Sequence, residues 1–363
     1  MTRALPNVRR VVVKIGSTSL TGENGRLDDV QVRALAGQIG ALRRKGTQCV
    51  LVSSGAIAAG LDPLALKRKP NDIPSLQAAA SVGQGILMHA YQRAFAKRRV
   101  PVGQVLLTQD DFVRRKAYLN AHAALARLLD LGVVPIVNEN DTVAVDEIRF
   151  GDNDRLAALV SIMVHADLLI ILSDIDGVYS ADPKRHRAEL LTHIEDLRQL
   201  DGLRAGKSGS SLGSGGMASK VEAVRVASAS GTGVVIANAR ADAILRRVLQ
   251  GEEVGTFFPA HRVRGRSRKL WIEFVQNARG TILVDAGAQK ALVSGGKSLL
   301  PAGVVGHRGA FAIGDAVEDA GPDGSVFAKG ITNYGADEIP SIQGSSIKEG
   351  GREVIHRDSL VIL

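Results

Sequence analysis

From residue 11 to residue 238 the chain alternates short apolar runs with longer amphipathic segments, and this alternation constrains the fold more than any other feature. Between the apolar runs the sequence has helical periodicity, with a spacing of three or four residues, as at Val32, Leu35, Ile39 and Leu42. The strand-like runs occupy 11–16, 50–55, 100–108, 133–138, 167–177 and 233–238. This alternation predicts an α/β fold with a mostly parallel sheet that helices cover on both faces.

Polar segments follow several of the predicted strands directly. They are 14–17 after the first strand, 53–55 after the second, and 173–174 after a later one. Right-handed crossovers bring the carboxyl ends of parallel strands to one edge of the sheet. Ligands in open α/β sheets bind at that edge. We therefore expect these segments to line a common site.

A cluster of acids and amides lies beyond the predicted strand 133–138. Four carboxylates and three amides fall within seventeen residues: Asn138, Glu139, Asn140, Asp141, Asp152, Asn153 and Asp154. For any one of these residues, a polar loop or a helix N-cap at Asp152 or Asn153 explains the side chain equally well. As a group they predict a pocket that hydrogen-bonds a small charged molecule.

After Gly255 the apolar runs become shorter and turn glycines become frequent, which predicts a compact β-rich module. The glycines that suggest turns are Gly280, Gly287, Gly295, Gly296, Gly303, Gly306, Gly309, Gly314, Gly321 and Gly324. Five of the eight residues in 262–269 are basic. We therefore predict a first domain at 1–258, a basic linker at 259–269 and a second domain at 270–363.

Composition narrows the class of protein further. Aromatic residues make up only 4% of the 363 residues, so aliphatic side chains must fill the core, as in helix-covered parallel sheets. The single cysteine, Cys49, cannot form an internal disulfide, which predicts a reducing, cytoplasmic location. We find no run typical of a membrane span or a signal peptide. The net charge of +9 permits either small anionic substrates or nucleic acid.

Two lysines are candidates for binding phosphate. Lys14 ends an apolar strand, where a buried ammonium needs an anionic partner or an open edge. Lys220 follows a glycine-rich turn that leads into a predicted helix, whose exposed amides favour an anion. Neither glycine-rich turn has Walker A spacing. The pair is typical of fixed cations that stabilise a phosphoryl group during transfer.

The sequence shows no Ser–His–Asp arrangement and no Cys/His set with metal-ligand spacing. A carboxylate acceptor is already ionised at neutral pH, so it attacks a phosphoryl group without a general base. A carboxylate kinase could therefore function with lysines, amides and a nucleotide-bound Mg²⁺.

Several motifs occur together and in order, and the combination is more specific than any single part. They are VVVKIGS, VSSGAIAAG, SVGQ, VGQVLLT, NENDTVA, GDNDRLA, LSDIDGVYSADP and GSGGMASK. Over 8–255 the chain resembles the glutamate 5-kinase family, which has the amino-acid-kinase fold. The stretch GTILVDAGAQKALVSGGKSLLPAGV resembles the PUA module, an RNA-binding-type domain. Ser53 departs from the threonine that many relatives have there.

The resemblance implies ATP-dependent phosphorylation of the γ-carboxylate of L-glutamate, the first step toward proline. Lys14 and Lys220 would stabilise the transferred phosphoryl group, and Asp154 would orient them. Ser54, Asp141 and Asn153 would bind glutamate, with Asp141 at the α-ammonium and the other two donating to carboxylates. The implied ATP-binding residues are Lys14, Ser173, Asp174, Ser214, Gly215, Gly216, Met217, Ala218, Ser219 and Lys220.

The resemblance also implies ligands and partners. Mg²⁺ would arrive with ATP, with no dedicated metal ligands in the protein. Proline would be a feedback inhibitor, acting near the loop between Asp141 and Gly151, and the chain would form homo-oligomers. Two alternatives remain open from the sequence. One is another kinase of the same fold, acting on aspartate, acetylglutamate or uridylate; the other is an RNA-binding protein with a kinase-like scaffold.

Overall fold

The chain divides into two compact units, Met1–Val263 and Arg264–Leu363. The division falls within the segment predicted as a basic linker, and 262–269 of that segment lies outside the described residues. The computed structural model describes residues 5, 7–22, 25–108, 111–112, 114–143, 153–181, 188–200, 216–261, 278–345 and 352–363.

The first unit is built on a seven-stranded sheet with the order β3-β4-β2-β1-β5-β8-β9. All its neighbouring strands are parallel except β8 and β9, so the predicted mostly parallel sheet is confirmed. A separate antiparallel pair is formed by β6 and β7. The strands are β1 (Arg10–Ile15), β2 (Gln48–Ser53), β3 (Val102–Leu107), β4 (Val134–Glu139), β5 (Leu168–Ser173), β6 (Val178–Tyr179), β7 (Leu190–Leu191), β8 (Gly233–Asn238) and β9 (Thr256–Phe258).

Helices connect these strands, as the sequence periodicity predicts. Two of them begin at aspartate caps: Asp28 accepts from the backbone of Val30, and Asp72 accepts from the backbone of Ser75. The helices of this unit are α1 (Ser17–Leu20), α2 (Asp29–Arg44), α3 (Ala56–Leu61), α4 (Ile73–Ala96), α5 (Arg115–Asp130), α6 (Asn153–Met163), α7 (Gly216–Ala229) and α8 (Ile244–Leu249).

The side chains of β1 alternate between the hydrophobic core on one face of the sheet and the predicted site on the other. Val11, Val13 and Ile15 belong to a hydrophobic cluster that includes the apolar stripe of α2. Successive side chains of a strand point to opposite faces, so Lys14 lies on the other face of the sheet. Helix α6 packs against β1, and that contact places the polar start of α6 near Lys14.

The backbones of helices α3 and α4 are in direct contact at two glycines. A Cβ atom added to Gly60 would lie 1.9 Å from the carbonyl oxygen of Ala79, and one added to Gly83 would lie 1.8 Å from that of Ala56. Gly55, just before α3, has a φ of 107°, a left-handed conformation that favours glycine. These glycines hold the middle of α4 close to the loop that ends β2.

The second unit contains a five-stranded sheet with the order β11-β10-β12-β13-β14, which confirms the predicted β-rich module. The expectation of turns was wrong for five of the glycines predicted to mark them: Gly287 and Gly295 lie in a helix that Asp285 caps, and Gly280, Gly306 and Gly309 lie in strands. The elements are β10 (Gly280–Val284), α9 (Ala286–Gly295), β11 (Val304–Gly309), β12 (Ala316–Ala320), β13 (Val326–Ile331), α10 (Ile339–Ile342) and β14 (Leu360–Ile362).

A carboxyl group is buried in the core of the second unit. Asp319, on the central strand β12, is fully buried and pairs in register with Ile282 and Ala328, two members of the hydrophobic cluster. Its carboxyl oxygens have no hydrogen-bond partner in the part of the chain that the structure describes. Burial raises the pKa of Asp319 to about 8.

Among the helices that the structure describes, none is both long enough and apolar enough to cross a membrane.

Candidate active site

Two lysines from distant parts of the first unit share one buried aspartate. Lys14 Nζ, on β1, lies 2.6 Å from Asp154 Oδ1. Lys220 Nζ, on α7, lies 3.1 Å from Asp154 Oδ2. Lys14 and Asp154 are fully buried and Lys220 is nearly so. The three side chains predicted to act together are therefore brought together, with each ammonium on a different oxygen of one carboxylate.

Local structure explains how these groups meet. Asp154 lies in the first turn of α6, where a carboxylate interacts favourably with the helix dipole. Lys220 reaches back along its own helix and donates to the carbonyl oxygen of Gly216 at 3.1 Å. The hydroxyl of Ser219 donates to Asp154 Oδ2 at 3.0 Å. Helices α6 and α7 pack together, so both begin beside the same strand ends.

Gly16 lies directly beside the Lys14 ammonium. A Cβ atom at this position would lie 3.5 Å from Lys14 Nζ, an ordinary van der Waals contact. The turn at Gly16 follows β1 directly, at the carboxyl edge of the sheet. The buried ammonium therefore lies at the edge where open parallel sheets bind their ligands.

A chain of amide hydrogen bonds runs from the end of β2 to the middle of α4. Asn153 Nδ2 donates to the carbonyl oxygen of Ser53 at 3.0 Å and to Asn138 Oδ1 at 2.8 Å. Asn138 Oδ1 also accepts from the backbone of Glu139, and Asn138 Nδ2 donates to Gln84 Oε1 at 2.8 Å. This chain links the ends of β2 and β4 to the start of α6.

The amide chain changes the interpretation of Asn153. Both hydrogens of its Nδ2 are used inside the protein, so the remaining polar atom of the side chain is an acceptor, Oδ1. This geometry does not match the prediction that Asn153 donates to a substrate carboxylate. An oxygen at this position suits an ammonium group instead.

A cavity of about 300 Å³ lies next to the amide chain. Asp141, one of the predicted substrate residues, lines it together with Glu139 at the end of β4. The other lining residues are Ala80, Ser81, Gln84, Gly85, Gln104, Leu106, Asn140 and Thr142. Two carboxylates and several amides around a cavity of this size suit a small amino acid.

The remaining predicted residues occupy the same edge of the sheet. The backbone N–H of Ser54 donates to the carbonyl oxygen of Ile15 at 3.1 Å, which ties the loop after β2 to the end of β1. Ser173 ends β5, and its hydroxyl donates to Asp174 Oδ1 at 3.0 Å. Met217 and Ala218 lie in the first turn of α7, whose initial backbone amides could bind an anion.

Some predicted residues cannot be placed. Asp152, Ser214 and Gly215 lie outside the described residues, as do residues 144–151, where proline was predicted to act. In the described ranges, no group of three or more His, Cys, Asp or Glu side chains could hold a metal ion.

Two buried groups of the first unit have raised pKa values. Burial raises the pKa of Tyr91, whose hydroxyl lies 2.8 Å from Ser53 Oγ. Since Ser53 Oγ donates to the carbonyl oxygen of Ser54, Tyr91 is the donor of this pair. Burial also raises the pKa of Cys49 to about 12, so its thiol stays protonated and unreactive. Neither group suits acid–base chemistry near neutral pH.

Sequence reasoning gave no individual role to Asn138 or Gln84. Asn138 was recognised only as a member of the acid–amide cluster, and Gln84 only as part of a family motif. The link between them spans 54 residues of sequence, so no local pattern could have revealed it. The signal available was the polarity of Gln84 within an otherwise apolar segment of α4.

Comparisons with known proteins agree with this geometry. A model of the amino acid kinase family matches residues 9–238, and a model of the PUA domain matches residues 280–349. The chain is 49% identical to the glutamate 5-kinase of Streptomyces coelicolor, over 99% of this chain and 98% of that protein. It is 48% identical to the glutamate 5-kinase of Carboxydothermus hydrogenoformans, over 100% of both.

A solved structure shares the fold at much lower identity. The carbamate kinase from Giardia lamblia bound to AMP-PNP matches with a TM-score of 0.53 and 19% identity, over 70% of this chain and 99% of that one. The chain therefore belongs to the amino acid kinase family, together with the glutamate 5-kinases that it matches over nearly its whole length, and it carries a PUA domain at its C-terminal end.

Proposed function

We propose that this chain catalyses ATP-dependent phosphorylation of the γ-carboxylate of L-glutamate, producing γ-glutamyl phosphate for proline synthesis. The observation that carries the proposal is the pair of lysines on one buried aspartate, beside a cavity lined by acids and amides. The near full-length similarity to glutamate 5-kinases supports glutamate as the acceptor.

The proposed reaction is an in-line displacement at phosphorus. A γ-carboxylate oxygen of glutamate forms a bond to the γ-phosphorus of ATP, and the bond from that phosphorus to the bridging oxygen breaks, releasing ADP. The carboxylate is ionised at neutral pH, so no base is required. Lys14 and Lys220 stabilise the negative charge on the transferred group, and Asp154 holds both ammonium groups in place.

Glutamate is assigned to the cavity beside Asp141. The Asp141 carboxylate binds the α-ammonium, and the Asn153 oxygen lies on the same amide chain that borders the cavity. Ser54 contributes its hydroxyl as the donor for a carboxylate, since its backbone N–H is bonded to the Ile15 carbonyl. The γ-carboxylate then extends toward Asp154 and the two lysines, since Asn153 and Asp154 are adjacent in the first turn of α6.

ATP is assigned to the remaining part of the sheet edge. Ser173, Asp174 and the start of α7, including Met217, Ala218 and Ser219, border this region, and Ser214 and Gly215 belong to the same sequence motif. Mg²⁺ bound to the phosphates would neutralise charge on the departing ADP, and it requires few protein ligands. Proline inhibition, homo-oligomer formation, RNA binding by the PUA domain and a cytoplasmic location remain predictions.

The test is a hydroxamate-trapping assay with ATP and Mg²⁺, which detects acyl phosphates. Glutamate, aspartate and N-acetylglutamate are compared as acceptors, and the Lys220→Ala variant is the control for contaminating kinases. We expect hydroxamate from glutamate at least about a hundredfold faster than from the other two acids. Preferential turnover of aspartate or N-acetylglutamate would reassign the acceptor, and no turnover of any would refute a kinase role.

A further inference from the structure

The polarity of the amide chain is fixed by two backbone groups, which cannot be reversed. The Glu139 N–H must donate, so the atom of Asn138 that it meets is the oxygen. The Ser53 carbonyl must accept, so the atom of Asn153 that it meets is the nitrogen. Consequently Asn138 presents its nitrogen to Gln84, and the Gln84 atom that receives it is Oε1.

In this orientation the amide nitrogen of the Gln84 side chain is left without a partner among the described residues. That nitrogen, Nε2, is also shielded from solvent. A buried donor without a hydrogen-bond partner is unfavourable. The Gln84 side chain is thus oriented by its bond to Asn138 and not by full satisfaction of its own groups.

The backbone fold holds Gln84 at the required distance. It follows Gly83, whose hydrogen is in close contact with the carbonyl of Ala56 at the start of α3. Helix α3 in turn begins at the loop after Ser53, which is the other end of the amide chain. The close packing of α3 and α4 therefore fixes the span between Ser53 and Gln84.

We propose that Gln84 is a positioning residue for the amino-acid substrate: through Asn138 it holds Asn153 so that the Asn153 amide oxygen, and not its nitrogen, meets the ammonium group of the substrate. This rests on the proposed function and specifies how the ammonium is recognised. Asn138 is 3% exposed and Asn153 is 6% exposed, so a loosened pair would leave buried donors unpaired.

Removal of the Gln84 acceptor breaks one end of the chain, and because Gln84 also lines the cavity, the inhibition constant of glutarate reports any direct effect of the substitution on the cavity. In Gln84→Met the Asn138 nitrogen loses its acceptor, so Asn138 and Asn153 become less well held. Gln84→Glu retains an oxygen that accepts from Asn138 and preserves the orientation. Gln92→Met, at an exposed position on the same helix, is the matched control for changing a glutamine of α4.

The experiment compares two ligands that differ at the ammonium group. Glutarate has both carboxylates of glutamate but lacks the ammonium, and its inhibition constant is measured against glutamate. In Gln84→Met we expect the KM for glutamate to rise about tenfold, while the inhibition constant of glutarate and the KM for ATP change less than about twofold. In Gln84→Glu and Gln92→Met the ratio of the glutamate KM to the glutarate constant stays near the wild-type value.

Three results would overturn the proposal. The first is an equal change in the glutamate KM and the glutarate inhibition constant in Gln84→Met. The second is the same ratio of these two constants in Gln84→Met and in Gln84→Glu. The third is a Gln84→Met variant with the constants of wild type. Circular dichroism checks folding, and Gln84→Ala replaces Gln84→Met if the latter does not fold. If wild-type protein fails to phosphorylate glutamate, the proposed function fails; if wild type is active and only these ratios disagree, the positioning role alone fails.

Discussion

Each unit of this protein buries an aspartate completely, and the two surroundings differ in kind. Asp154, in the first unit, contacts two lysine ammonium groups. Asp319, in the second, lies among aliphatic side chains and has no hydrogen-bond partner within the described residues. Burial of an acid alone therefore does not indicate a catalytic site. Two cations on one carboxylate at the carboxyl edge of a parallel sheet are the more specific sign.

The largest expected effect comes from removing a cation from Asp154. In Lys220→Ala, kcat for glutamate phosphorylation should fall by about 10²–10⁴, because a fixed charge that stabilises the transition state is lost. The KM for glutamate should change much less. Initial-rate kinetics with circular dichroism on the same preparation measure both. Turnover close to wild type would show that Asp154 binds this lysine for structural reasons only.

Replacement of Asp319 should raise stability and leave activity nearly unchanged, unlike replacement of Lys220. In Asp319→Val the unpaired polar group is removed from the core, so the second unit should gain about 1–3 kcal/mol of stability. Kinase activity should stay within about twofold of wild type. Asp337→Val, at an exposed position in the same unit, is the control and should have little effect. Thermal unfolding measures the difference, and a destabilised Asp319→Val would mean that the carboxyl makes a favourable interaction.

The pH dependence of the second unit follows from the raised pKa. Asp319 is protonated in the folded unit up to about pH 8, whereas in the unfolded chain it ionises near its ordinary value of 3.8. The unfolded state thus binds fewer protons between these values, and stability falls as pH rises from about 4 to about 8. Above this window the contribution levels off.

Hydrogen exchange in β12 and β13 measures this trend. Wild type and Asp319→Val are compared at the same pH, which cancels the intrinsic pH dependence of exchange. From pH 5 to pH 8 the free energy of opening, as measured by exchange, should fall in wild type relative to Asp319→Val. The fall should be less than about 1.4 kcal/mol per pH unit. A constant difference across that range would contradict an uncharged Asp319 in the folded unit.

The smallest effect is expected where a buried polar pair carries no charge. Tyr91→Phe removes the hydrogen bond to Ser53 but leaves Ser53 its acceptor at Ser54. The free energy of unfolding should fall by about 0.5–1.5 kcal/mol, with kcat within about threefold. Urea unfolding and initial-rate kinetics test this, and a loss of activity like that of Lys220→Ala would place Tyr91 in the catalytic machinery.

The sequence predicted the first unit better than the second, for a physical reason. Strand 233–238 coincides with β8 as predicted, because a buried parallel strand is a continuous apolar run with sharp ends. In the second unit, Gly287 and Gly295 led to a prediction of turns where helix α9 lies, because glycine is typical of turns. The Asp285 cap was the available signal, and the glycines outweighed it.

Within the site, the sequence could predict which residues meet but not the direction of their hydrogen bonds. Lys14 and Lys220 were predicted as a pair from their places at a strand end and a helix start, and the resemblance to the glutamate 5-kinase family added Asp154 as the residue that orients them. The donor or acceptor role of Asn153 depends on the backbone of Ser53 and on Asn138. These contacts require the three-dimensional arrangement, and only the structure shows that they leave the oxygen as the remaining polar atom of the Asn153 side chain.

The most direct test of the shared-aspartate site is a crystal structure with glutamate, Mg²⁺ and a non-hydrolysable ATP analogue. We predict that Lys14 Nζ and Lys220 Nζ both lie about 3 Å from oxygens of the terminal phosphate, with Asp154 still in contact with both. A terminal phosphate that contacts neither lysine, or only one while the other stays buried elsewhere, would contradict it.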